Sequence, residues 1–237
     1  MGPLRGWLLD LLGSPAAYAD IWTLQRGLVA ARQAGSVPDT LILLEHAPVV
    51  TIGRSGKRSN LLGSPDALIA QGIEVFDIER GGDVTYHGPG QMVGYPILDL
   101  RALNEDIVRF MRALEGSVIA TLEDFGITAS RERGFPGVWV DGAKICAVGV
   151  AVRRRVTMHG FALNVNTDLD AFSVINPCGL GRPVTSIARL LGHGVDVAEV
   201  GRVYAGQFAS AFGIELARVD RAVVDDALAR EAAVAHG

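Results

Sequence analysis

Apolar runs of strand length and stretches of helical periodicity alternate along this chain, but not at the regular spacing that repeated βαβ units impose. Residues 6–12 read as a first strand. Ser14-Pro15 then supplies an N-cap and a first-turn proline. Tyr18, Ile21, Trp22, Gln25, Leu28 and Val29 follow at helical spacing, and Gly35 stops the helix. Residues 40–45 and 49–52 read as strands around His46-Ala47-Pro48. Ser64-Pro65 opens a short helix, and residues 73–78 and 92–98 read as further strands. Asn104 caps a long helix ending before Gly126, with Ile107, Phe110, Met111, Leu114, Val118 and Leu122 on one face. Asp141-Gly142 joins the apolar runs 138–140 and 144–152, a two-residue hairpin signal, and residues 156–165 give the next strand. The C-terminal third reads mostly helical, with Asp196 capping a helix to about Phe212. The pattern predicts an α+β fold in which helices flank a mixed central sheet, rather than a doubly wound one.

No repeat, low-complexity tract or linker divides the 237 residues, so residues 1–237 are expected to form a single domain. A composition 49% hydrophobic and 20% charged is that of a globular protein rather than a disordered chain. The net charge of −4 argues against general nucleic-acid binding, which calls for a basic excess. Two cysteines, Cys146 and Cys178, make no disulfide framework and suit a reducing compartment. Near the N-terminus, Asp10 interrupts a leucine-rich run too short for a secretory core, so a strand and helix are expected there. No apolar stretch approaches the ~18 residues of a membrane span. The expected location is cytoplasmic, with no membrane or nucleic-acid partner.

Residues 80–91 read RGGDVTYHGPGQ. Four glycines and a proline in so short a stretch predict a loop without a regular element, whose backbone a ligand can approach closely. The spacing is neither a Walker A nor a GxGxxG pattern, so no nucleotide cofactor is indicated. Cys178 sits between Pro177 and Gly179, a turn composition that can present a thiol. Cys146 is the rival, inside an apolar run but two residues from Lys144 and therefore expected on the same strand face. A cysteine with a pKa near 8.5 is only a few per cent thiolate at about pH 7, so a nucleophilic thiol needs a cation or a base beside it. Lys144, His87 and His159 are the candidates, and spacing alone leaves both the thiol and the base open.

The sequence also resembles a known family. LILLEHAPVVTIGR at residues 41–54, RGGDVTYHGPGQMVGYPILDL at 80–100, GVWVDGAKICAVGV at 137–150, MHGFALNVNTDL at 158–169, INPCGL at 175–180 and VTSI at 184–187 occur in order. These blocks resemble the lipoyl(octanoyl) transferases. The resemblance implies the biotin/lipoate protein ligase catalytic-domain fold. It implies transfer of an octanoyl or lipoyl group from acyl carrier protein to a lysine of lipoyl domains, those of 2-oxoacid dehydrogenases and the glycine cleavage H protein. It further implies Cys178 as the thioester nucleophile and Lys144 as the residue that lowers its pKa and shuttles protons. Three segments would line the acyl site: Arg80, Gly81, Gly82, Asp83, Val84, Thr85, Tyr86 and His87; Ala147, Val148 and Gly149; and Gly160, Phe161 and Ala162. His87 and His159 then become pocket residues. No cofactor or metal is expected.

Basic clusters at Arg54, Lys57 and Arg58, at Arg131 and Arg133, and at Arg153, Arg154 and Arg155 could guide an acidic carrier, although solvated surface charge is the commoner reason for such clusters. Two rivals stand beside acyl transfer: an ATP-dependent lipoate- or biotin-protein ligase, and a non-catalytic acyl-binding module.

Overall fold

The computed structural model describes residues 4–103, 106–176 and 182–235. Cys178 and Asn104 therefore lie outside the described residues. In chain order the elements are β1 (Leu4–Asp10), α1 (Tyr18–Ala34), β2 (Asp39–Leu44), β3 (Val49–Ile52), α2 (Pro65–Ala70), β4 (Glu74–Asp77), β5 (Val84–His87) and β6 (Gln91–Ile97). Then come α3 (Ile107–Asp124), β7 (Ser130–Glu132), β8 (Phe135–Val140), β9 (Ala143–Arg153), β10 (Val156–Asn164), α4 (Ile187–Leu191), α5 (Val197–Phe212), β11 (Ile214–Val219) and α6 (Arg221–Ala235).

The main sheet has the order β11-β1-β2-β6-β10-β9-β8-β7. Its first three strands are parallel, and every later pairing is antiparallel. Strand β2 is buried along its whole length because both sheet faces are covered. Leu41 and Leu43 point into a core shared with α3 and α5; Ile42 and Leu44 point into one shared with α1 and α6. Each such side chain contributes about 1.5–3 kcal/mol through burial, which commits β2 to the sheet centre. A second sheet, β4-β3-β5, carries its own small core of Val50, Ile52, Leu68, Val84 and Tyr86.

Most local expectations hold. Gly35 caps α1 in the left-handed conformation, Ser64 caps α2 through a bond from the Ala67 amide, and Asp196 caps α5. Asp141 and Gly142, with φ of 48° and 80°, form the two-residue hairpin turn, where positive φ at both central positions matches strand twist.

Four expectations need correction. Ser14-Pro15 does not cap α1, which begins at Tyr18 behind Ala17; Ala16 instead bridges to His46 as an extension of the strand region. The cap of α3 is Asp106, which accepts from the Val108 and Arg109 amides. The glycine-rich stretch contains strand β5, whose β-branched and aromatic run Val84-Thr85-Tyr86-His87 pairs with β3. The C-terminal third includes β11, parallel to β1, for which the alternation Ile214-Glu215-Leu216 was an available signal.

Candidate active site

Where the second sheet lies against β9 and β10, the described residues line an open cavity of about 480 Å³. Its floor follows the pairing Ala147↔Ala162, Val148↔Phe161 and Gly149↔Gly160. All six of these residues line the cavity, as do Lys144, Arg80, Gly81, Gly82, Asp83, Val84, Thr85 and His87. Tyr86 does not. It packs instead in the small core of the second sheet, edge-on to Phe172 at 5.6 Å between ring centroids.

Close backbone approach explains the glycines. Gly81 donates its N–H to the Val150 carbonyl at 2.9 Å, docking the loop onto β9. A Cβ at Gly149 would stand 2.8 Å from the Gly81 oxygen, and one at Gly160 would stand 2.1 Å from the Gly94 oxygen. Both positions require a residue without a side chain.

Arg80 is buried and held by Thr51. Its Nη2 donates to the Thr51 carbonyl at 2.7 Å and to its hydroxyl at 3.0 Å. His87 lies between Thr51 Oγ1 at 3.4 Å and Gln91 Oε1 at 2.8 Å. Burial, with the charges of His46 and Arg80 adding to it, pushes His87 down to about 3 against the opposing Gln91 bond. Burial likewise takes His46 down to about 4 and lowers His159, the Glu79 carboxylate opposing the latter. His46 and His87 are therefore neutral near pH 7, and groups so weakly basic are poor proton acceptors there.

Lys144 presents its Nζ over the Trp139 ring, 4.7 Å from the centroid. Its backbone is tied to the chain that follows the Cys178 block: the Lys144 N–H donates to the Pro183 carbonyl at 2.9 Å, and the Thr185 N–H donates to the Lys144 carbonyl at 3.0 Å. At the start of that block, the Asn176 N–H donates to the Asn60 carbonyl at 2.8 Å. Phe172 and Val184, one before and one after the block, both line the cavity. A polar chain crosses beneath: Gln91 donates to Asn164 Oδ1, and Asn164 donates to the Thr185 carbonyl, each at 2.9 Å.

Cys146 is fully buried, and burial raises its thiol well above the ordinary range. The expectation that it shares a face with Lys144 is overturned. The ladder places Trp139 opposite Lys144 and Val138 opposite Cys146, so Ile145 is an extra residue, a β-bulge. Val138 and Trp139 face opposite sides, and so do their partners.

Several cavity residues were not singled out as site residues from sequence: Tyr18, Gln91, Tyr95 and Asn164. Their signal was polarity inside otherwise apolar strand or helix faces. Of the basic clusters, Arg58, Arg131 and Arg153 are engaged with the chain's own Asp77, Glu115 and Glu79.

Residues 17–209 match the family model of the lipoyl protein ligase A/B catalytic domain. A protein of Caldicellulosiruptor saccharolyticus named octanoyltransferase is 52% identical over 199 residues, covering 83% of this chain and 85% of that one. One of Solibacter usitatus with the same name is 51% identical, with 84% and 90% covered. A bipartite lipoate protein ligase from Thermoplasma acidophilum shares the fold with a TM-score of 0.72 at 20% identity, covering 96% of this chain and 91% of that one. No helix among the described residues is long and apolar enough to cross a membrane. The chain belongs to the lipoyl protein ligase A/B catalytic-domain family.

Proposed function

We propose that this protein is an octanoyltransferase that carries the acyl group on Cys178 and uses Lys144 to manage the proton. The observation that carries this reading is Lys144 itself. It lines a cavity walled by Ala147, Val148, Phe161 and Ala162, and its backbone is bonded to Pro183 and Thr185, five and seven residues after Cys178. Relatives about half identical across most of the chain bear the octanoyltransferase name.

The chemistry balances without an energy source. The Cys178 thiolate attacks the thioester carbonyl of octanoyl acyl carrier protein; the carrier sulfur leaves and takes up the proton that Lys144 received from the thiol. One thioester replaces another. The amine of a lipoyl-domain lysine, in a 2-oxoacid dehydrogenase or the glycine cleavage H protein, then attacks the Cys178 thioester. An amide forms, the amine proton passes by way of Lys144, and the Cys178 thiol is regenerated. The oxyanion in each step calls for N–H donors, which a glycine-bearing turn supplies readily.

Intact-protein mass spectrometry tests this. Incubation with octanoyl acyl carrier protein should leave one octanoyl adduct, removed by hydroxylamine and absent in Cys178→Ser. Product formation that needs ATP and free octanoate, and persists in Cys178→Ala, would establish a ligase instead. Acyl retention without a covalent adduct would establish a binding module.

A further inference from the structure

The backbone of Lys144 is flanked on two sides, and the sides are not alike. On one, β8 places Trp139 opposite it. On the other, β10 has already ended: its ladder with β9 stops at Leu163↔Cys146, and the Val165 N–H turns to the Gly90 carbonyl. The strip 183–185 takes over that place. Val184 bridges to Lys144 in parallel, and the bonds from Lys144 to Pro183 and from Thr185 to Lys144 flank the bridge. So short a strip has no ladder of its own to fix it. Its far end is anchored, because the Thr185 carbonyl accepts from Asn164 at 2.9 Å and Ser186 caps α4.

The near end is anchored by Arg182, which reaches over β8 to β7. Its guanidinium lies over the Phe135 ring, 4.2 Å from the centroid, and over the Trp139 ring at 5.2 Å, and it forms an ion pair with Glu132. Both side chains of that pair are 34% exposed, so the charges alone contribute little. Stacking on two rings is what fixes the guanidinium plane. The rings are fixed in turn: they meet edge-on at 6.4 Å, and Trp139 Nε1 donates to the Phe135 carbonyl at 3.2 Å. Trp139 is also the ring beneath the Lys144 ammonium. Arg182 therefore adjoins both the strip bonded to the Lys144 backbone and the ring under its Nζ.

We propose that Arg182, clamped by Glu132, Phe135 and Trp139, is a positioning residue for Lys144. The inference rests on the proposed acyl transfer, in which Lys144 handles the proton, and names what keeps that lysine in place. Proton transfer requires donor and acceptor within hydrogen-bond reach, and a displacement of about 1 Å can cost about a hundredfold in rate. Arg182 takes no part in the chemistry; it prevents that displacement.

The test is direct because the chain has two lysines, Lys57 and Lys144, and Lys57 is exposed. Trace acetylation with acetic anhydride, read by peptide mass spectrometry, gives the Lys144-to-Lys57 labelling ratio without any acyl donor. In Arg182→Met, which keeps a stem and loses the guanidinium, that ratio should rise about threefold, the size of an exposed cation–π contact. With octanoyl-carrier protein the same variant should lose about tenfold in kcat at unchanged KM. Glu132→Gln should show both effects in milder form, and the double variant should be no worse than Arg182→Met, as residues acting as one unit require. Arg182→Lys, which keeps the charge, should restore part of the rate. A ratio unmoved or lowered in Arg182→Met overturns the inference, as does a raised ratio with unchanged kcat. A loss carried by KM and fading at high salt makes Arg182 a charge that attracts the donor, which overturns it too. A wild type that takes no octanoyl adduct sinks the transfer reading instead, while the labelling ratio still reads the link between Arg182 and Lys144. Circular dichroism verifies that each variant is folded, and Glu132→Gln carries the same comparisons if Arg182→Met does not fold.

Discussion

Lys144 and Cys146, two residues apart in β9, face opposite sides of the sheet because Ile145 is bulged out of the β8–β9 ladder. The lysine reaches the cavity beside Trp139, and the thiol enters the core with Val138 and Ile145. A single inserted residue sends one side chain to the cavity and the other to the core.

The first prediction concerns thiol reactivity. Cys146 is sealed and its pKa is raised, so iodoacetamide near neutral pH should label one thiol in the folded protein and two after unfolding in urea. In Cys178→Ser the native labelling should disappear, as peptide mapping would show. Modification of Cys146 in the folded protein would contradict the burial described above.

If Lys144 tunes the proposed nucleophile, Lys144→Ala should move the alkylation pH profile of Cys178 upward by about 1–2 units, the usual effect of losing an adjacent cation. Lys144→Arg should retain part of the effect on the profile while slowing acyl transfer, because arginine keeps the charge but does not give up its proton. An unchanged profile in Lys144→Ala removes the lysine from that role.

Gly160→Ala should be poorly tolerated. Its Cβ would meet the Gly94 carbonyl of the neighbouring strand at 2.1 Å, in a wall that cannot yield without parting β10 from β6. A loss of about 1–3 kcal/mol is expected, read from urea unfolding midpoints. Gly149→Ala should act more locally by pushing the Gly81 carbonyl away, weakening acyl binding more than stability.

Stability should depend on pH through the buried histidines. His46 and His87 are pushed down to about 4 and 3 in the folded protein, while the unfolded chain takes up protons near 6.5. Below that value the unfolded state binds more protons, so stability falls as pH drops from about 6.5 toward 4. Each proton contributes a slope of about 1.4 kcal/mol per pH unit. Urea midpoints measured across this window should flatten in His87→Gln. An equal slope in that variant would show that His87 is not the group responsible.

The fold was legible where local chemistry and tertiary demand agree. Gly35, Ser64-Pro65, Asp141-Gly142 and Asp196 punctuate the chain as their backbone preferences require. It was not legible where a distant strand took over. Ser14-Pro15 carries a capping signature, yet the following residue bridges to His46. The run Val84-Thr85-Tyr86-His87 sits among glycines, yet pairs with β3. In the site, residue types and family blocks marked the walls formed by residues 80–87, 147–149 and 160–162, and Tyr86 alone among them turns away from the cavity.

By itself the sequence determined the Asp141-Gly142 turn, the caps at Gly35, Ser64 and Asp196, the amphipathic faces and, through its family blocks, membership of the lipoyl protein ligase A/B family. These are properties of neighbouring residues, or of residue order, and survive in a one-dimensional string. Only the tertiary structure decided that Lys144 and Cys146 part company, that Arg80 is buried against Thr51, and that Tyr18 lines a cavity floored by β9 and β10. Each depends on a bulge, a buried polar contact or a crossing of remote segments. Such features are set by packing between elements far apart in the chain, so no local pattern records them.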